Sequence, residues 1–224
     1  DMTYQFGGKR NFDLNEINDG EYNDWIGAQI RIDMYGWVLP GKPKLAAELA
    51  RRDAILSHRG CAVEASAYIA GLCALIPESN SREEAVNAAL DLIDKDSEAY
   101  EAVLLGINNA GNPASKLHEH YGDMSPVHSL NNLSVVVWAF LSFQDSFDEA
   151  IGETICCGWD TDCTGATVGG LIGLDQGSIP ELWTEPWQGR VLTALAGVGE
   201  LNLDDLVDRT CALVDKFSSS PDLT

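Results

Sequence analysis

The chain has 224 residues, 35 acids against 14 bases and a formal net charge of −21, which is length enough for one sizeable core. That charge disfavours nucleic acid, whose binding rests on Lys and Arg neutralising phosphates, and equally an anionic membrane surface. Six cysteines are scattered, mostly in apolar runs and without C-x-x-C spacing, which predicts free buried thiols in a reducing, cytoplasmic setting and argues against disulfides or zinc.

No signal peptide or membrane-spanning run is read, and no linker divides the sequence, so one domain is expected over residues 1–217 with 218–224 a frayed tail. Residues 1–24 are polar and turn-rich (Gly7-Gly8-Lys9, Asn18-Asp19-Gly20) and read as loop. From Trp25 the chain turns apolar, and Ile26, Ile30 and Asp33 at helical spacing predict a short helix before Pro40-Gly41. Arg31 and Asp33 inside it read first as a structural ion pair, since buried charges need partners, and otherwise as anion-site residues. Pro43 opens a helix expected to reach about residue 57, with Leu45, Leu49 and Ile55 on its inner face. After the Ser57-His58-Arg59-Gly60 corner, residues 62–76 are nearly all small and apolar and predict a central, buried helix. By pattern alone, His58 at this corner reads as a hydrogen-bonded structural residue.

Ser81-Arg82-Glu83-Glu84 is a capping box opening a helix to about residue 95, and Ser97 starts the next. Residues 108–125 read as a connection; its His118, His120 and Asp123 could bind a metal but lack a partner at matched spacing. A buried helix follows over 127–143, whose first turn carries His128, Asn131 and Asn132, polar groups that need partners or a ligand. Ser146-Phe147-Asp148-Glu149 is a second capping box, its helix running to Cys157. Beyond residue 180 the reading is a loop with Trp183, Pro186 and Trp187, a helix over about 188–196, and a last amphipathic helix over 203–217 capped by Asn202. With almost no strand alternation, the expected fold is all-α, a compact orthogonal bundle of nine to ten helices.

Residues 158–173 look built for chemistry. Asp160 and Asp162 are hard oxygen ligands suited to Mg²⁺, and a small-residue run (Gly165, Ala166, Gly169, Gly170, Gly173) follows them. Positions i and i+2 do not share a helix face, so both can meet one ion only at a turn or helix start. The plainer reading is an N-cap and a first-turn acid. Each glycine would weaken an isolated helix by up to about 1 kcal/mol relative to alanine, which predicts close packing in compensation.

Together these segments resemble the ADP-ribosylglycohydrolase family. Ile26-Gly27-Ala28-Gln29-Ile30-Arg31 looks like its Gly-x-x-(Met/Ile)-Arg segment, Leu56-Ser57-His58 like its (Leu/Thr)-(Ser/Thr)-His, and Gly158-Trp159-Asp160-Thr161-Asp162-Cys163 like its Gly-Gly-Asp-Thr-Asp-Thr. The resemblance spans about residues 17–217. It implies a Mg²⁺-dependent hydrolase, with a pair of ions in the complete domain, that cleaves the N- or O-glycosidic bond joining ADP-ribose to a protein side chain or small acceptor. It also implies Asp160, Asp162 and the position of Cys163 as metal ligands, with Thr164 a substitute oxygen, and substrate contacts from His58, Ser57, Tyr22 and Gly27.

Two departures follow. Cys163 puts a thiol where the family has a hydroxyl, and sulfur serves Mg²⁺ poorly. The family's early Thr-Asp-Asp segment and early acid are not matched, so the catalytic acid is expected outside this chain. The chain is then expected to be a fragment that is inactive alone and associates through uncovered faces of the 62–76 and 164–173 helices. An alternative is an ADP-ribose- or partner-binding relative without turnover. A weaker rival is a haloacid-dehalogenase-type phosphohydrolase, since residues 160–164 match Asp-x-Asp-x-Thr with Asp160 as nucleophile. That site needs a preceding strand and a parallel sheet, and residues 147–157 have helical spacing.

Overall fold

The computed structural model describes residues 20–218. Most of the expected N-terminal loop (1–19) and most of the expected tail (219–224) lie outside the described residues; Ser218 itself ends a helix. Among the described residues there are eleven α-helices: α1 (Asp33–Trp37), α2 (Pro43–Ala54), α3 (Cys61–Leu75), α4 (Arg82–Leu90), α5 (Glu98–Asn108), α6 (Ser115–Tyr121), α7 (Ser129–Ser142), α8 (Phe147–Cys156), α9 (Thr161–Gln176), α10 (Glu181–Thr184) and α11 (Leu203–Ser218). The fold is all-α, as the sequence predicts, with one small addition. Strands β1 (Arg190–Leu192) and β2 (Glu200–Asn202) pair antiparallel, Val191 opposite Leu201. This hairpin replaces the helix expected over 188–196. The left-handed backbone at Gln188, Gly189 and Gly197 turns the chain there, which the apolar spacing of Val191, Leu192 and Leu195 concealed.

α3 is the centre. Thirteen of its residues are buried, and α1, α2 and α4 pack around it while α5 and α8 pack on α7 and α9 on α8. The Cys61–Glu78 window is long and apolar enough to cross a membrane, yet 78% of it is buried inside the bundle, which makes it a core helix. That burial also overturns the expectation that this helix presents an uncovered face. α2 faces α3 with Ala46, Ala47, Ala50 and Ala54; Leu45, Leu49 and Ile55 are only half-buried at its flanks. Small side chains let the axes approach, and the leucines seal the edges. Closer still is α1, where a Cβ on Gly36 would lie 2.3 Å from Cys73 Cβ on α3.

The serine caps read from sequence are present: Ser81, Ser97 and Ser146 each accept from a backbone N–H in the first turn of α4, α5 and α8. The Glu84 carboxylate reaches one residue further back than in a full capping box, accepting from Asn80 N and Nδ2. Asn202 Oδ1 accepts from Asp204 N at 2.7 Å and opens α11. Arg82, 4% exposed, ties three elements together: Nε donates to Asp175 on α9 at 2.8 Å, and Nη1 donates to the carbonyls of Phe140 and Phe143 at the end of α7. Those carbonyls have no intrahelical partner, so the guanidinium caps the helix as well as pairing a carboxylate.

Candidate active site

The site grows from the loop between α8 and α9. Gly158 and, unusually for a bulky side chain, Trp159 have positive φ, 83° and 61°. Three contacts hold this strained turn. The Trp159 indole stacks on His118 at 4.0 Å between centroids, His118 Nε2 meets Cys157 O at 2.7 Å, and Asn132 Oδ1 accepts from Asp160 N at 3.2 Å. His118 lies on α6, a short helix inside the stretch read as a connection, so its role is to clamp the loop. Among the described residues it joins no metal-type cluster with His120 and Asp123; the one such cluster is Asp160, Asp162 and Cys163. Asn132 and its neighbours find protein partners: Asn132 Nδ2 donates to Pro126 O and His128 O, Asn131 Nδ2 to Ser125 O, and His128 Nδ1 accepts from Leu130 N.

Asp160 occupies the N-cap position of α9, yet its side chain caps no backbone N–H. No bond of regular capping geometry forms, but the Cys163 N–H three residues on still lowers the Asp160 carboxyl and Asp162 lies in the first turn, so the helix-start reading holds in part beside the metal one. Ligand atoms of Asp160, Asp162 and Cys163 all lie within 4.8 Å of one another. Burial raises the Asp160 pKa, with the adjacent Asp162 carboxylate adding to it, while Asp162 is lowered chiefly by the hydrogen bond from Asp160. Each carboxylate feels the other, because neighbouring like charges resist joint ionisation. Burial and then Asp160 push the Cys163 thiol up to about 12, so it stays protonated. The two carboxylates thus fit a Mg²⁺ edge, and the neutral thiol does not. Thr164 is buried and donates its hydroxyl to Asp160 O at 2.9 Å, which braces the turn.

Two clefts meet at Asp162. One, about 380 Å³, runs between α9 and the segment carrying Ile30, Asp33 and Trp37, with Cys163 in its wall. The other, about 470 Å³ and mostly apolar, is lined by Phe147, Ile151, Trp183 and Trp187. Ala166 and Gly170 border both. The small residues of α9 thus keep its surface low between the two clefts; only this helix matches the expectation of a partly open small-residue face.

His58, Ser57 and Gly27 are neighbours in the fold, joined by Arg31. Arg31 Nη2 donates to Ser57 Oγ at 2.8 Å, Ser57 Oγ meets His58 Nδ1 at 2.8 Å, and His58 Nε2 would lie 3.2 Å from a Cβ at Gly27. Burial first and the Arg31 charge second lower the His58 pKa, favouring neutral imidazole. Tyr22 stands apart: it is exposed and packs edge-on against Trp25 at 4.3 Å. The expected Arg31–Asp33 pair does not form. The apolar stretch is not one helix but a 3₁₀ turn (Gln29–Arg31) followed by α1, and this break sends Arg31 to Asp53 at 2.6 Å. Asp33 is left half-buried, its Oδ1 screened from solvent without a side-chain donor, and burial raises its pKa to about 7. Sequence reasoning missed Asp33 as an unpaired acid, and missed Asn132 and His118 as supports of the Asp160 turn, because each depends on contacts distant in sequence.

The Asp-x-Asp segment lies between two helices, and the described sheet is a two-stranded antiparallel hairpin elsewhere. A haloacid-dehalogenase site, with its strand and parallel sheet, is excluded. Comparison with curated proteins and with solved structures returned no match. The ADP-ribosylglycohydrolase family profile, in contrast, matches residues 4–215, nearly the whole chain. With the motif order, the helical fold and the Asp160–Asp162 turn in agreement, the chain belongs to the ADP-ribosylglycohydrolase family, whose members are glycohydrolase-type enzymes.

Proposed function

We propose that the protein is a Mg²⁺-dependent hydrolase of the glycosidic bond between ADP-ribose and a protein side chain or small acceptor. The observation that carries this reading is the pair Asp160 and Asp162 at the start of α9, their ligand atoms and that of Cys163 within 4.8 Å of one another, with Asp162 at the junction of two clefts. Cleavage at an anomeric carbon passes through an oxocarbenium-like transition state and needs an oriented sugar, a water and an acid at the leaving group. Mg²⁺, when bound, supplies positive charge that orients ribose hydroxyls and makes a water more acidic. Asp160 and Asp162 would hold it. Asn132 and Thr164 keep the Asp160 backbone in place. His58, held by Ser57, offers an imidazole to the substrate beside Gly27, where bulk would collide with it.

A second reading has a specific observation behind it: the protonated Cys163 at a ligand position favours an ADP-ribose-binding relative without turnover. One experiment separates them. Incubated with ADP-ribosylated protein and Mg²⁺, the chain should release free ADP-ribose, and release should cease with chelator or in Asp160→Ala and Asp162→Ala. Binding of ADP-ribose without release would instead establish the second reading. Equal Mg²⁺ binding by the double variant in calorimetry would overturn the metal assignment in both.

A further inference from the structure

Asp33 is the acid that the packing leaves unsatisfied beside this site. Its neighbours in sequence have partners: Arg31 spends its guanidinium on Asp53, Ser57 and the Gly27 carbonyl, and Tyr35 donates to Asp53 Oδ2 at 3.0 Å. The Asp33 carboxyl lies in the wall of the 380 Å³ cleft together with Asp162 and Cys163. Oδ2 faces α9, 3.8 Å from where a Cβ on Gly170 would stand, and Oδ1 is screened from solvent with no side-chain donor. Oδ2 is thus the atom that a ligand in the cleft can reach, on a carboxyl whose other oxygen the surrounding side chains do not satisfy. The rest of the wall explains the access. Gly170 carries no side chain that would cover Oδ2, and Trp37, whose ring edge would lie 3.9 Å from that same Cβ position, supplies a flat apolar surface next to the carboxyl. A wall made of one hydrogen-bonding acid and one indole suits a sugar, which presents hydroxyls at its edge and C–H bonds on its face.

We infer that Asp33 is a substrate-binding residue, its carboxyl hydrogen-bonding a hydroxyl of the ADP-ribosyl ligand in the cleft shared with Asp162 while Trp37 covers the sugar face. The inference rests on the reading of the Asp160–Asp162 site given above. A carboxyl that titrates near neutrality can accept from a hydroxyl when ionised and donate to one when protonated, so the contact survives in either state.

Calorimetry on the full chain tests it, with ADP-ribose as probe at saturating Mg²⁺ and with Mg²⁺ alone, comparing wild type, Asp33→Asn and Asp33→Ala. Asp33→Ala should bind ADP-ribose about tenfold more weakly, as for loss of one buried hydrogen bond to a charged or neutral partner, with Asp33→Asn in between. Mg²⁺ affinity should stay within about twofold in both, and the isosteric Asn variant should unfold at no lower temperature than wild type. Unchanged ADP-ribose affinity in both variants would overturn the role of Asp33 alone. A parallel loss of Mg²⁺ affinity would overturn it in another way, making Asp33 a metal ligand. No ADP-ribose binding by wild type would overturn the reading of the whole site, and this inference with it.

Discussion

A single unpaired acid gives the fold a measurable pH dependence. In the unfolded chain Asp33 ionises near pH 4, whereas burial keeps it protonated up to about 7 in the fold. Between these values the folded state binds more protons than the unfolded one, so this group makes stability fall as pH rises from about 4 through about 7, and level off above. Asp33→Asn removes the titration. Urea unfolding should show the variant gaining about 2–4 kcal/mol on wild type between about pH 4 and pH 8, and a constant difference across that range would mean that Asp33 is solvated. Arg82 carries the opposite lesson, a buried charge fully partnered. Its loss strands Asp175 and two carbonyls of α7, so Arg82→Ala should cost about 3 kcal/mol in chemical denaturation, and Arg82→Lys, which cannot reach three acceptors at once, should recover less than half. Sequence pattern could place Asp160, Asp162 and His58 because their chemistry is local and their motifs are short. It could not choose the partner of Arg31, since Asp53 is 22 residues away and the choice turns on where the helix breaks.

At the scale of elements, what was legible followed from local chemistry. Serine caps at Ser81, Ser97 and Ser146 were readable because the bond closes within a few residues. The buried character of α3 was equally clear from its run of small apolar residues. Illegible were α6, too short and polar to show a period, and the β1–β2 hairpin, where both strands are three residues long. Glycines separate the two cases of helix packing. Gly36 on α1 would drive a Cβ into Cys73 and the Ala70 carbonyl, at 2.3 and 2.5 Å, whereas Gly152 on α8 has nothing within 4 Å. Gly36→Ala should therefore cost about 2–4 kcal/mol and pull α1 with its Asp33 away from α3, while Gly152→Ala should stabilise by about 0.5–1 kcal/mol through helix propensity. Thermal unfolding of the two variants in parallel provides the comparison. Opposite signs are expected; a loss in both would indicate an unseen constraint on α8.

Taken as a whole, the described chain divides in burial. From α10 onward no helix has a buried residue, and Leu182, Leu192 and Leu195 are largely exposed. This part is moored to the bundle by Trp183, which meets the Phe147 ring at 5.4 Å and hydrogen-bonds Asp148, and by Phe217, whose carbonyl accepts from Lys42 Nζ at 3.0 Å. Elements with so few buried contacts open at low free energy. Limited proteolysis should cut first within residues 181–218 and leave the α1–α9 bundle intact, and early cleavage inside α3 or α7 would contradict this order. Trp183 and Trp187 also wall the apolar cleft beside Asp162, so trimming that region should widen the cleft without unfolding the core. The left-handed turn at Trp159 has a consequence of its own. Its indole lies flat on His118 one residue before Asp160, so ring stacking, backbone conformation and carboxylate position move together. That makes Trp159 a built-in optical probe: the difference in emission between the wild type and a Trp159→Phe variant reads the state of the loop directly, and a change in it on addition of Mg²⁺ would report, in real time and without a label, a cation held at Asp160 and Asp162.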